Sequence, residues 1–551
     1  MKQTEQMSSA QAIIECLKIE GIQKVFCVPG ESYLPVMDAI YDEPSIKLIS
    51  TRHEGGASFM AEGFAKASGQ PGVVMATRGV GGSNLAIGVH TAYQDSTPMI
   101  VLLGQVDSRF RGREGFQEVD LDRFFAPIAK WTVEIQEAKR VPEIVQRALR
   151  IAQTGRPGPV VISLPEDLLK KSAAMEFGKP VDRPSPCPSL REVQGTEKLL
   201  LKAKRPLVIA GGGVKNAGAE KTLVQFAEKF SLPVMAAFRR HDVFPNNHSL
   251  YAGHLGLGTN PEILKTVKEA DAIIAIGTRL SEVTTQDYSL IRNDQTLIHI
   301  DIDTNTLGKV YAPDIGIVAD AKEGLTALME MKLPVVFEEW GKAGREAYQA
   351  LLKPEKEESV NKKIIALLQK HLPKDAILTN DAGNFAGWLH AYYQFNQKNT
   401  YIGPTSGAMG YGMPAALGAK LAWPNRTVVS LSGDGGFMMT MQELETAVRY
   451  QIPVISIVFN NRMYGTIRMH QEIHFPYKTI GTDLGSVPFY KIAQGFGALG
   501  IYVREPEEFE QALLQVLKEG KPAVIEVESD PEQISLTSTI EQLRQNGKNN
   551  N

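Results

Sequence analysis

Asp434 and Asn461 are the two residues whose types and spacing indicate chemistry most directly. Asp434 lies within Gly433-Asp434-Gly435-Gly436, directly after an apolar run, and Asn461 closes an Asn pair at the end of a β-branched run. A carboxylate and an amide oxygen are hard donors that suit a small divalent cation such as Mg²⁺. The neighbouring glycines let backbone N–H groups approach phosphate oxygens. Together the two motifs predict a site for a magnesium-bound diphosphate.

The segments around these motifs predict how the fold brings them together. Val428–Leu431 and Pro453–Phe459 are predicted strands, and the helix-period stretch from about Phe437 to Tyr450 is the predicted crossover helix. Strand, helix and strand in this order form a parallel pair, so both motifs should lie at the carboxyl edge of one sheet, where open α/β sheets bind ligands. A plain βα turn followed by a strand-ending Asn pair is the alternative. The length and topology of the combined pattern favour the ligand site.

The stretch from Thr427 to Arg468 resembles the thiamin-diphosphate motif, and the motif order over residues 8–535 resembles the acetolactate synthase-like branch of the thiamin-diphosphate enzymes. That branch includes acetohydroxyacid synthase large subunits, pyruvate oxidases and 2-oxo acid decarboxylases. The resemblance implies thiamin diphosphate and Mg²⁺ as cofactors. It also implies that Asp434, Asn461 and the backbone carbonyl of Met463 hold the metal, with Gly433, Gly435 and Gly436 against the diphosphate.

Glu54 is the residue that the resemblance implies for catalysis. It follows Thr51-Arg52-His53 and begins a helix of small residues, where a Glu standing alone is often a capping or dipole residue. In the family the matching carboxylate hydrogen-bonds N1′ of the aminopyrimidine and promotes the 4′-imino tautomer that deprotonates C2 of the thiazolium. Such a carboxyl group has to be kept out of bulk water. The family builds this site between two subunits, which implies a homodimer or a homotetramer.

Further segments match positions that contact the cofactor or substrate in the family, and each is also compatible with an ordinary glycine-rich turn or loop. Thr77–Asn84 departs from the family turn TSGPGATN at Arg78, Val80 and Gly82. Met409 matches the apolar residue that forces the cofactor into its V shape, and Gln117 matches a glutamine beside the reacting carbon. The remaining cofactor-binding candidates are Pro29, Gly30, Asn84, Gly383, Asn384 and Gly407.

Two departures from the family pattern bear on the substrate. Phe385 replaces a histidine in the segment that touches the diphosphate, which removes a hydrogen-bond donor. Val283 stands where acetolactate synthases carry the second Arg of GARFDDR, and that Arg meets the carboxylate of the acceptor acid. Arg279 matches the first Arg. Arg468 and His470 are alternative sources of positive charge, or plain surface helix residues.

The composition restricts the class of protein. Of the 551 residues, 43% are hydrophobic and 22% are charged. The formal net charge of −3 does not indicate binding to nucleic acid or to an anionic membrane surface. Three scattered cysteines form neither a disulfide framework nor a zinc motif. The N-terminus lacks the apolar core of a signal peptide, and the uncharged stretch Asn399–Ala419 is too rich in Gly and Pro to span a membrane. We therefore expect a cytoplasmic protein with a small-molecule substrate.

Alternating strand and helix patterns predict an α/β fold of three doubly wound parallel-sheet domains. The predicted domains are a pyrimidine-binding domain at 1–180, a central Rossmann-like domain at 193–335, a diphosphate- and Mg-binding domain at 361–535, and a polar tail at 536–551. Within the tail, the residues from Glu541 to Asn551 are predicted to be disordered. Gly211-Gly212-Gly213 follows the first central strand without a full GxGxxG, which favours a tight βα turn over a nucleotide site. FAD binding stays open at this point.

The combined prediction is an enzyme that decarboxylates a pyruvate-like 2-oxo acid and transfers the resulting enamine to a carbonyl acceptor, as acetolactate synthases do. A 2-oxo acid decarboxylase or a flavin-dependent pyruvate oxidase is the alternative, because both share the first half of the reaction. A non-catalytic thiamin-diphosphate-binding sensor or subunit is a more remote alternative, against which Glu54 argues. The sequence leaves open the donor, the acceptor, and the choice between dimer and tetramer.

Overall fold

Three six-stranded parallel sheets, one in each of three domains, form the framework of the computed structural model, which describes residues 4–334, 336–353 and 359–550. Most strands are continuous runs of Val, Ile, Leu and Ala that are buried on both faces, as expected for parallel sheets covered by helices. The three-domain α/β prediction is confirmed.

The N-terminal domain contains the sheet with strand order β3-β2-β4-β5-β7-β6, and β1 pairs antiparallel with β8 beside it. Its strands are β1 (Thr4–Ser8), β2 (Lys24–Cys27), β3 (Lys47–Ser50), β4 (Gly72–Thr77), β5 (Met99–Gln105), β6 (Trp131–Glu134), β7 (Pro159–Pro165) and β8 (Ser172–Glu176). Its helices are α1 (Ser9–Ile19), α2 (Leu34–Tyr41), α3 (Glu54–Ser68), α4 (Arg78–Asp95), α5 (Leu121–Phe125), α6 (Val141–Gln153) and α7 (Glu166–Leu169), with short 3₁₀ turns at Glu31–Tyr33, Ser108–Phe110, Ala126–Ile128 and Ala138–Arg140.

The central domain has the strand order β11-β10-β9-β12-β13-β14, which is the doubly wound order of dinucleotide-binding folds. Its strands are β9 (Pro206–Ala210), β10 (Val234–Ala236), β11 (Tyr251–His254), β12 (Ala272–Ile276), β13 (Thr296–Asp301) and β14 (Ile315–Val318). Its helices are α8 (Leu190–Leu200), α9 (Gly212–Asn216), α10 (Glu220–Phe230), α11 (Pro261–Glu269), α12 (Ala321–Leu328) and α13 (Glu338–Leu351).

The C-terminal domain has the strand order β16-β15-β17-β18-β20-β19, which repeats the connectivity of the N-terminal sheet. Its strands are β15 (Ile377–Asn380), β16 (Tyr401–Ile402), β17 (Val428–Gly433), β18 (Ile455–Asn460), β19 (Leu499–Val503) and β20 (Ala523–Glu528). Its helices are α14 (Val360–His371), α15 (Ala386–Tyr392), α16 (Gly412–Ala422), α17 (Asp434–Thr440), α18 (Glu443–Arg449), α19 (Gly465–His474), α20 (Phe489–Gly495), α21 (Pro506–Glu519) and α22 (Ile540–Asn550).

The crossover between β17 and β18 differs from the single helix predicted from Phe437 to Tyr450. The chain forms two short helices, α17 and α18, joined at a tighter turn in which the backbone N–H of Leu444 donates to the carbonyl of Met441 at 3.0 Å. The helical spacing of apolar residues continues through this turn, so the hydrophobic pattern does not reveal where α17 ends and α18 begins. The turn directs α18 toward the N-terminal domain.

The prediction of a disordered polar tail is wrong for its described part, because residues Ile540–Asn550 form α22. Arg544 donates to both carboxylate oxygens of Glu472 on α19, at 2.9 and 2.7 Å. Glu472 is fully buried and is also paired with Arg468 at 3.0 Å. This bidentate, charge-assisted contact, together with the buried side chain of Ile540, holds a helix that is otherwise mostly polar. Residue 551 lies outside the described residues.

We expect the stability of the C-terminal domain to fall in acid because of Glu472. Burial raises the pKa of Glu472, but hydrogen bonds from Arg544, the Tyr477 backbone and Arg468 outweigh it and hold the pKa at about 2. A depressed carboxyl pKa stabilises the fold above the unfolded value of about 4.3, and this contribution is lost as the pH falls through about 2. The protection factors of the α22 amides, which correct for the intrinsic pH dependence of hydrogen exchange, should therefore fall between pH 4 and pH 2 in the wild type. Arg544→Ala should show fast exchange already at pH 7, whereas the exposed neighbour change Gln545→Ala should not.

The N- and C-terminal domains of one chain pack through α3 and α16, whose small residues let the backbones approach closely. A Cβ atom on Gly418 would collide with the carbonyl oxygen of Met60, and one on Gly63 would collide with the backbone of Ala415. The two helices therefore need glycine at both positions.

Gly418→Ala is expected to destabilise the fold by about 1–3 kcal/mol, because the added methyl group must push the two helices apart. Denaturant unfolding measures the change. Gly485→Ala is the matched control, since a Cβ atom there meets nothing within 4 Å. Equal stability of the Gly418 and Gly485 variants would contradict the packing described for α3 and α16.

Candidate active site

Asp434 and Asn461 emerge side by side at the carboxyl edge of the C-terminal sheet. β17 and β18 are parallel neighbours with Gly433 opposite Phe459, so the residues that follow both strands lie on the same edge. The predicted parallel pairing of these two strands is confirmed. Asp434 begins α17 and is buried.

The carboxylate of Asp434 faces the turn that contains Asn461. Its Oδ1 accepts a hydrogen bond from the Gly435 N–H at 2.9 Å. Burial raises the pKa of Asp434 to about 6, although the backbone N–H groups of Gly435, Arg462 and Met463 act in the opposite direction. The Asn461 side-chain oxygen accepts from the Met463 N–H at 3.3 Å. The residues of the two motifs are therefore brought together around one point.

These residues form a suitable donor set for Mg²⁺. Across the described residues, no group of three His, Cys, Asp or Glu side chains is placed to hold a metal ion. A cation here would be held by the carboxylate of Asp434, the amide oxygen of Asn461 and the carbonyl of Met463, with the remaining positions filled by ligand oxygens. Mg²⁺ is commonly bound in this way, by one or two carboxylates together with phosphate oxygens.

The glycines of the Asp434 turn are required by close neighbours. A Cβ atom on Gly435 would lie 2.6 Å from the ring of Tyr464, and one on Gly436 would lie 2.8 Å from Oδ2 of Asp381. Gly433 has more room, since its Cβ atom would approach only the Phe385 ring, at 3.4 Å. The turn therefore presents bare backbone N–H groups at the start of α17, as a phosphate-binding turn requires.

The segment predicted to touch the diphosphate lies beside this turn. Gly383 has a φ of +153°, which favours glycine, and the Phe385 ring stacks on Phe459 at a centroid distance of 5.7 Å. The Asn384 side chain has both polar atoms engaged within the protein. Its amide nitrogen donates to the carbonyl of Ile534 at 2.8 Å, and its oxygen accepts from the Thr466 hydroxyl at 2.8 Å.

Met409 lies in a loop that buried Asp381 holds. Gly407 and Gly410 flank it with positive φ angles of +69° and +80°. Oδ1 of Asp381 accepts hydrogen bonds from the backbone N–H groups of Tyr411, at 2.5 Å, and of residue 412, at 3.1 Å. Burial raises the pKa of Asp381 to about 6. The sequence analysis missed this anchoring contact.

Glu54 begins α3 in the N-terminal domain, and its carboxylate is held by Asn84. The amide of Asn84 donates to Oε2 of Glu54 at 3.0 Å, and the ring Nδ1 of His53 caps the helix by accepting from the Gly55 N–H at 3.0 Å. Asn84 was predicted to contact the cofactor, and the structure places its side chain on the predicted catalytic carboxylate. Glu54 itself is half-buried.

The turn after β2 lies against the end of β4, near Glu54. A Cβ atom on Gly30 would lie 2.6 Å from the Cβ atom of Thr77, so the turn that follows Pro29 packs closely on that strand end. The hydroxyls of Ser32 and Thr77 are 2.7 Å apart. The predicted residues Pro29, Gly30, Glu54 and Asn84 thus belong to one edge of the N-terminal sheet.

Glu443 is a residue of this site that the sequence analysis missed. It lies on α18 of the C-terminal domain, is fully buried, and accepts hydrogen bonds from the backbone N–H groups of Arg52 and His53 at 3.1 and 3.0 Å. Burial raises its pKa to about 7. A Cβ atom on Gly56 would collide with its Oε1 atom. Glu443 therefore fixes the two peptides that precede Glu54, through contacts between residues about 390 positions apart.

Gln117 lies in a structured loop after β5, which we call the Gln117 loop (residues 107–120). Its backbone φ is +64°, and its side-chain amide makes no hydrogen bond to any described residue. The neighbouring Glu118 accepts from the backbone N–H groups of Gly112 and Gly115 at 2.7 and 2.9 Å. The loop is thus internally fixed and leaves the Gln117 amide unbonded.

The structure places the residues that depart from the family pattern as follows. Val283 and Arg279 both line a cavity of the central domain, and Arg279 donates to the carbonyl of Gln94 at 2.6 Å. Arg468 is ion-paired with Glu472 and with Asp483, at 3.0 and 2.9 Å. His470 is exposed on α19. The charge of Arg468 is therefore already balanced within the protein.

The central cavity has a volume of about 650 Å³ and is lined by all three domains. Gly211 and Gly213 pack on Gly277, which supports the predicted tight βα turn, whereas Gly212 faces the cavity beside Arg240, whose Nε atom would lie 2.8 Å from an added Cβ. Several cationic side chains line it, namely Arg156, Arg183, Arg240, Arg279, Lys309 and Lys322.

Within the described ranges, none of the helices is both long enough and apolar enough to cross a bilayer.

Comparisons with known proteins match the chain along nearly its whole length. Residues 7–124 match the N-terminal TPP binding domain of thiamine pyrophosphate enzymes, 193–328 the central domain, and 381–527 the C-terminal TPP binding domain. A probable acetolactate synthase large subunit of Methanocaldococcus jannaschii is 35% identical, over 95% of this chain and 92% of the relative. The acetolactate synthase large subunit of Buchnera aphidicola subsp. Schizaphis graminum is 35% identical, over 96% and 95%. The acetolactate synthase isozyme 3 large subunit of Escherichia coli is 32% identical, over 94% and 93%.

Proposed function

The chain belongs to the thiamine pyrophosphate enzymes, in their acetolactate synthase-like branch, and from this premise we propose that it decarboxylates a pyruvate-like 2-oxo acid and transfers the remaining two-carbon unit to a carbonyl acceptor. The observation that carries the proposal is that the chain contains both groups of residues that the reaction needs, one in the C-terminal domain and one in the N-terminal domain. Asp434 and Asn461 form a diphosphate and metal edge, and Glu54, held by Asn84, forms an acid–base edge.

The residues divide the work between binding and proton transfer. Bound thiamin diphosphate supplies the carbon nucleophile that adds to the keto group and then accepts the electron pair released with CO₂. Asp434, Asn461 and the Met463 carbonyl hold Mg²⁺ against the diphosphate. Glu54 shares a proton with the aminopyrimidine, and Asn84 fixes the direction in which that carboxylate points. Gln117 offers its amide to a substrate oxygen.

The exposed surface beside Glu54 supports an active site assembled between two copies of the chain. Val80, Asn84 and Ile87 share one face of α4 at helical spacing, and all three are exposed. Met438 and Met439 are exposed on α17, a few residues after Asp434. Two apolar faces, each beside one half of the proposed site, favour a homodimer or a homotetramer, which sedimentation or light scattering would detect.

The central cavity favours a dinucleotide as an additional ligand, and FAD fits the family. The strand order of the central sheet and the volume of the cavity suit a dinucleotide, and the six cationic side chains of the lining, which stand among five acidic ones, are available to a diphosphate. The absorption spectrum of the purified protein, with and without added FAD, tests this proposal. A bound flavin without O₂ consumption would separate a flavin-retaining synthase from an oxidase.

The proposed function is tested by CO₂ release from a panel of 2-oxo acids, measured with and without thiamin diphosphate and Mg²⁺. We expect release that requires both cofactors and is fastest with a small, pyruvate-like acid. Release with formation of an aldehyde, or with O₂ consumption, would replace the proposal by a decarboxylase or an oxidase. Tight cofactor binding without CO₂ release from any acid would favour a non-catalytic sensor.

Glu443→Gln is expected to lower kcat about tenfold, because a Gln amide group cannot accept hydrogen bonds with both of its heavy atoms as the carboxylate does, and the loop before Glu54 loses part of its support. The affinity for thiamin diphosphate should change by less than about twofold. This is a small free-energy difference, since a tenfold change in affinity corresponds to about 1.4 kcal/mol. Glu507→Gln, at an exposed position of α21 in the same domain, is the control. A normal kcat for the Glu443 variant would contradict the role assigned to it.

A further inference from the structure

Arg78 is the residue of the Thr77–Asn84 turn that departs furthest in size and charge from the family pattern, and the proposed function leaves it without a role. It follows β4 directly, begins α4, and has a φ of +44°, which is uncommon for a residue with a side chain. Its side chain is largely buried. A buried arginine at the edge of a catalytic site needs a structural or functional reason.

The guanidinium group of Arg78 contacts the Gln117 loop on one side and an acidic anchor on the other. Its Nη1 atom donates to the carbonyl of Phe116 at 3.2 Å, and its Nη2 atom pairs with Glu166 at 2.9 Å. The group also lies over the Phe116 ring, 6.0 Å from the centroid. Glu166 directly follows β7, so Arg78 bridges the loop after β5 and the residue after β7.

The backbone beside Arg78 fastens the same loop at the next peptide. The N–H of Gly79 donates to the carbonyl of Gln117 at 3.1 Å, and a Cβ atom on Gly79 would collide with Val119. The carbonyl groups of Phe116 and Gln117 are thus both fixed by the first two residues of α4. The positive φ of Gln117 is held between these two bonds, and its amide stays unbonded.

We propose that Arg78 is the positioning residue for Gln117: it holds the carbonyl of Phe116 from the anchor Glu166 and so sets the direction of the Gln117 amide at the reacting centre. The catalytic half of this inference depends on the proposed function, whereas the holding of the loop does not. Where the family turn TSGPGATN has a serine, this chain has Arg78, whose side chain contacts both the Gln117 loop and Glu166. Rotation of the peptide between Phe116 and Gln117 would move the side-chain amide of Gln117 out of hydrogen-bonding distance of a substrate oxygen.

The test compares Arg78→Gln, Arg78→Lys and Gln117→Ala, alone and combined, in the full-length protein. Gln keeps much of the length of the side chain but cannot bridge Phe116 and Glu166, whereas the single ammonium group of Lys can contact either partner but cannot span both. Arg109→Gln is the control, because Arg109 is exposed and its ion pair stays within one turn of the same loop. Hydrogen exchange of residues 112–120 is measured together with kcat and KM for the acceptor.

The expected result is faster exchange in residues 112–120 for Arg78→Gln, partial rescue by Arg78→Lys, and no change for Arg109→Gln. The value of kcat/KM should be about tenfold lower in Arg78→Gln than in the wild type. The double variant should have the same kcat/KM as Gln117→Ala alone, because both changes remove the same contact with the substrate. Unchanged exchange in the loop, or losses that multiply in the double variant, would overturn the proposal. A wild type without turnover of any 2-oxo acid would overturn the proposed function and the catalytic half, while the exchange data would still decide whether Arg78 holds the loop.

Discussion

Glu54→Gln is expected to lower turnover by about 10²–10⁴-fold while the protein stays folded and still binds thiamin diphosphate. Gln keeps the shape of the side chain and can still accept from Asn84, so the start of α3 should be undisturbed. It cannot exchange a proton with the aminopyrimidine nitrogen. The most specific measurement is hydrogen–deuterium exchange at C2 of the bound cofactor, which should slow in parallel with turnover.

Asn84→Asp is a useful companion to this variant, because a second carboxylate would replace the donor that holds Glu54. Like charges at about 3 Å raise the pKa of one member of the pair, so the pH profile should shift upward while cofactor binding is retained. Normal C2 exchange in Glu54→Gln would remove Glu54 from its assigned role, whatever the behaviour of the Asn84 variant.

Asp434→Ala is expected to weaken the binding of thiamin diphosphate with Mg²⁺ by about 100-fold, equivalent to about 2.8 kcal/mol. The change removes the only carboxylate among the three proposed metal donors, and Mg²⁺ depends on carboxylate charge for its affinity. Titration calorimetry at fixed Mg²⁺ concentration measures the effect. Raising the Mg²⁺ concentration should recover only part of the affinity.

Asp483→Asn is the matched control for Asp434→Ala. Asp483 is highly exposed, pairs with Arg468, and belongs to the same region of the C-terminal domain. Its neutralisation should leave the affinity for the cofactor within about twofold, since exposed ion pairs contribute little. Equal losses in the two variants would mean that Asp434 acts through the net charge of the region instead of through the metal.

The sequence predicted the fold best where strands are buried on both faces. The continuous apolar runs predict strands at Gly72–Thr77, Pro206–Ala210 and Ala272–Ile276, and these are the bounds of β4, β9 and β12 in the structure. The edge strands β6, β14 and β19 were missed, because partly exposed strands have neither a continuous apolar run nor clean alternation. The edge strand β11 was also missed although it is buried, because its sequence Tyr-Ala-Gly-His contains no β-branched run. The helix α22 was missed for a related reason: apart from Ile540 and Leu543 its residues are polar, and its docking relies on the ion pair between Arg544 and Glu472.

The sequence predicted the geometry of the candidate site only where two interacting residues belong to the same local motif. Asp434 and Asn461 could be placed together because the strand–helix–strand order fixes the edge on which they lie. The partners Asn84 for Glu54, Asp381 for the Met409 loop and Glu443 for the loop before Glu54 lie on separate elements. No local pattern encodes such tertiary contacts, so only the folded structure reveals them.

The most direct test of the central claim is the stoichiometry of pyruvate turnover by the purified protein with thiamin diphosphate and Mg²⁺. Pyruvate consumed, CO₂ released and acetolactate formed should be measured in the same reaction, with and without added FAD. We expect two molecules of pyruvate to yield one CO₂ and one acetolactate, and Glu54→Gln to abolish both products together. CO₂ release with an aldehyde or acetate as the partner product, and without acetolactate, would contradict an acetolactate synthase-like transfer.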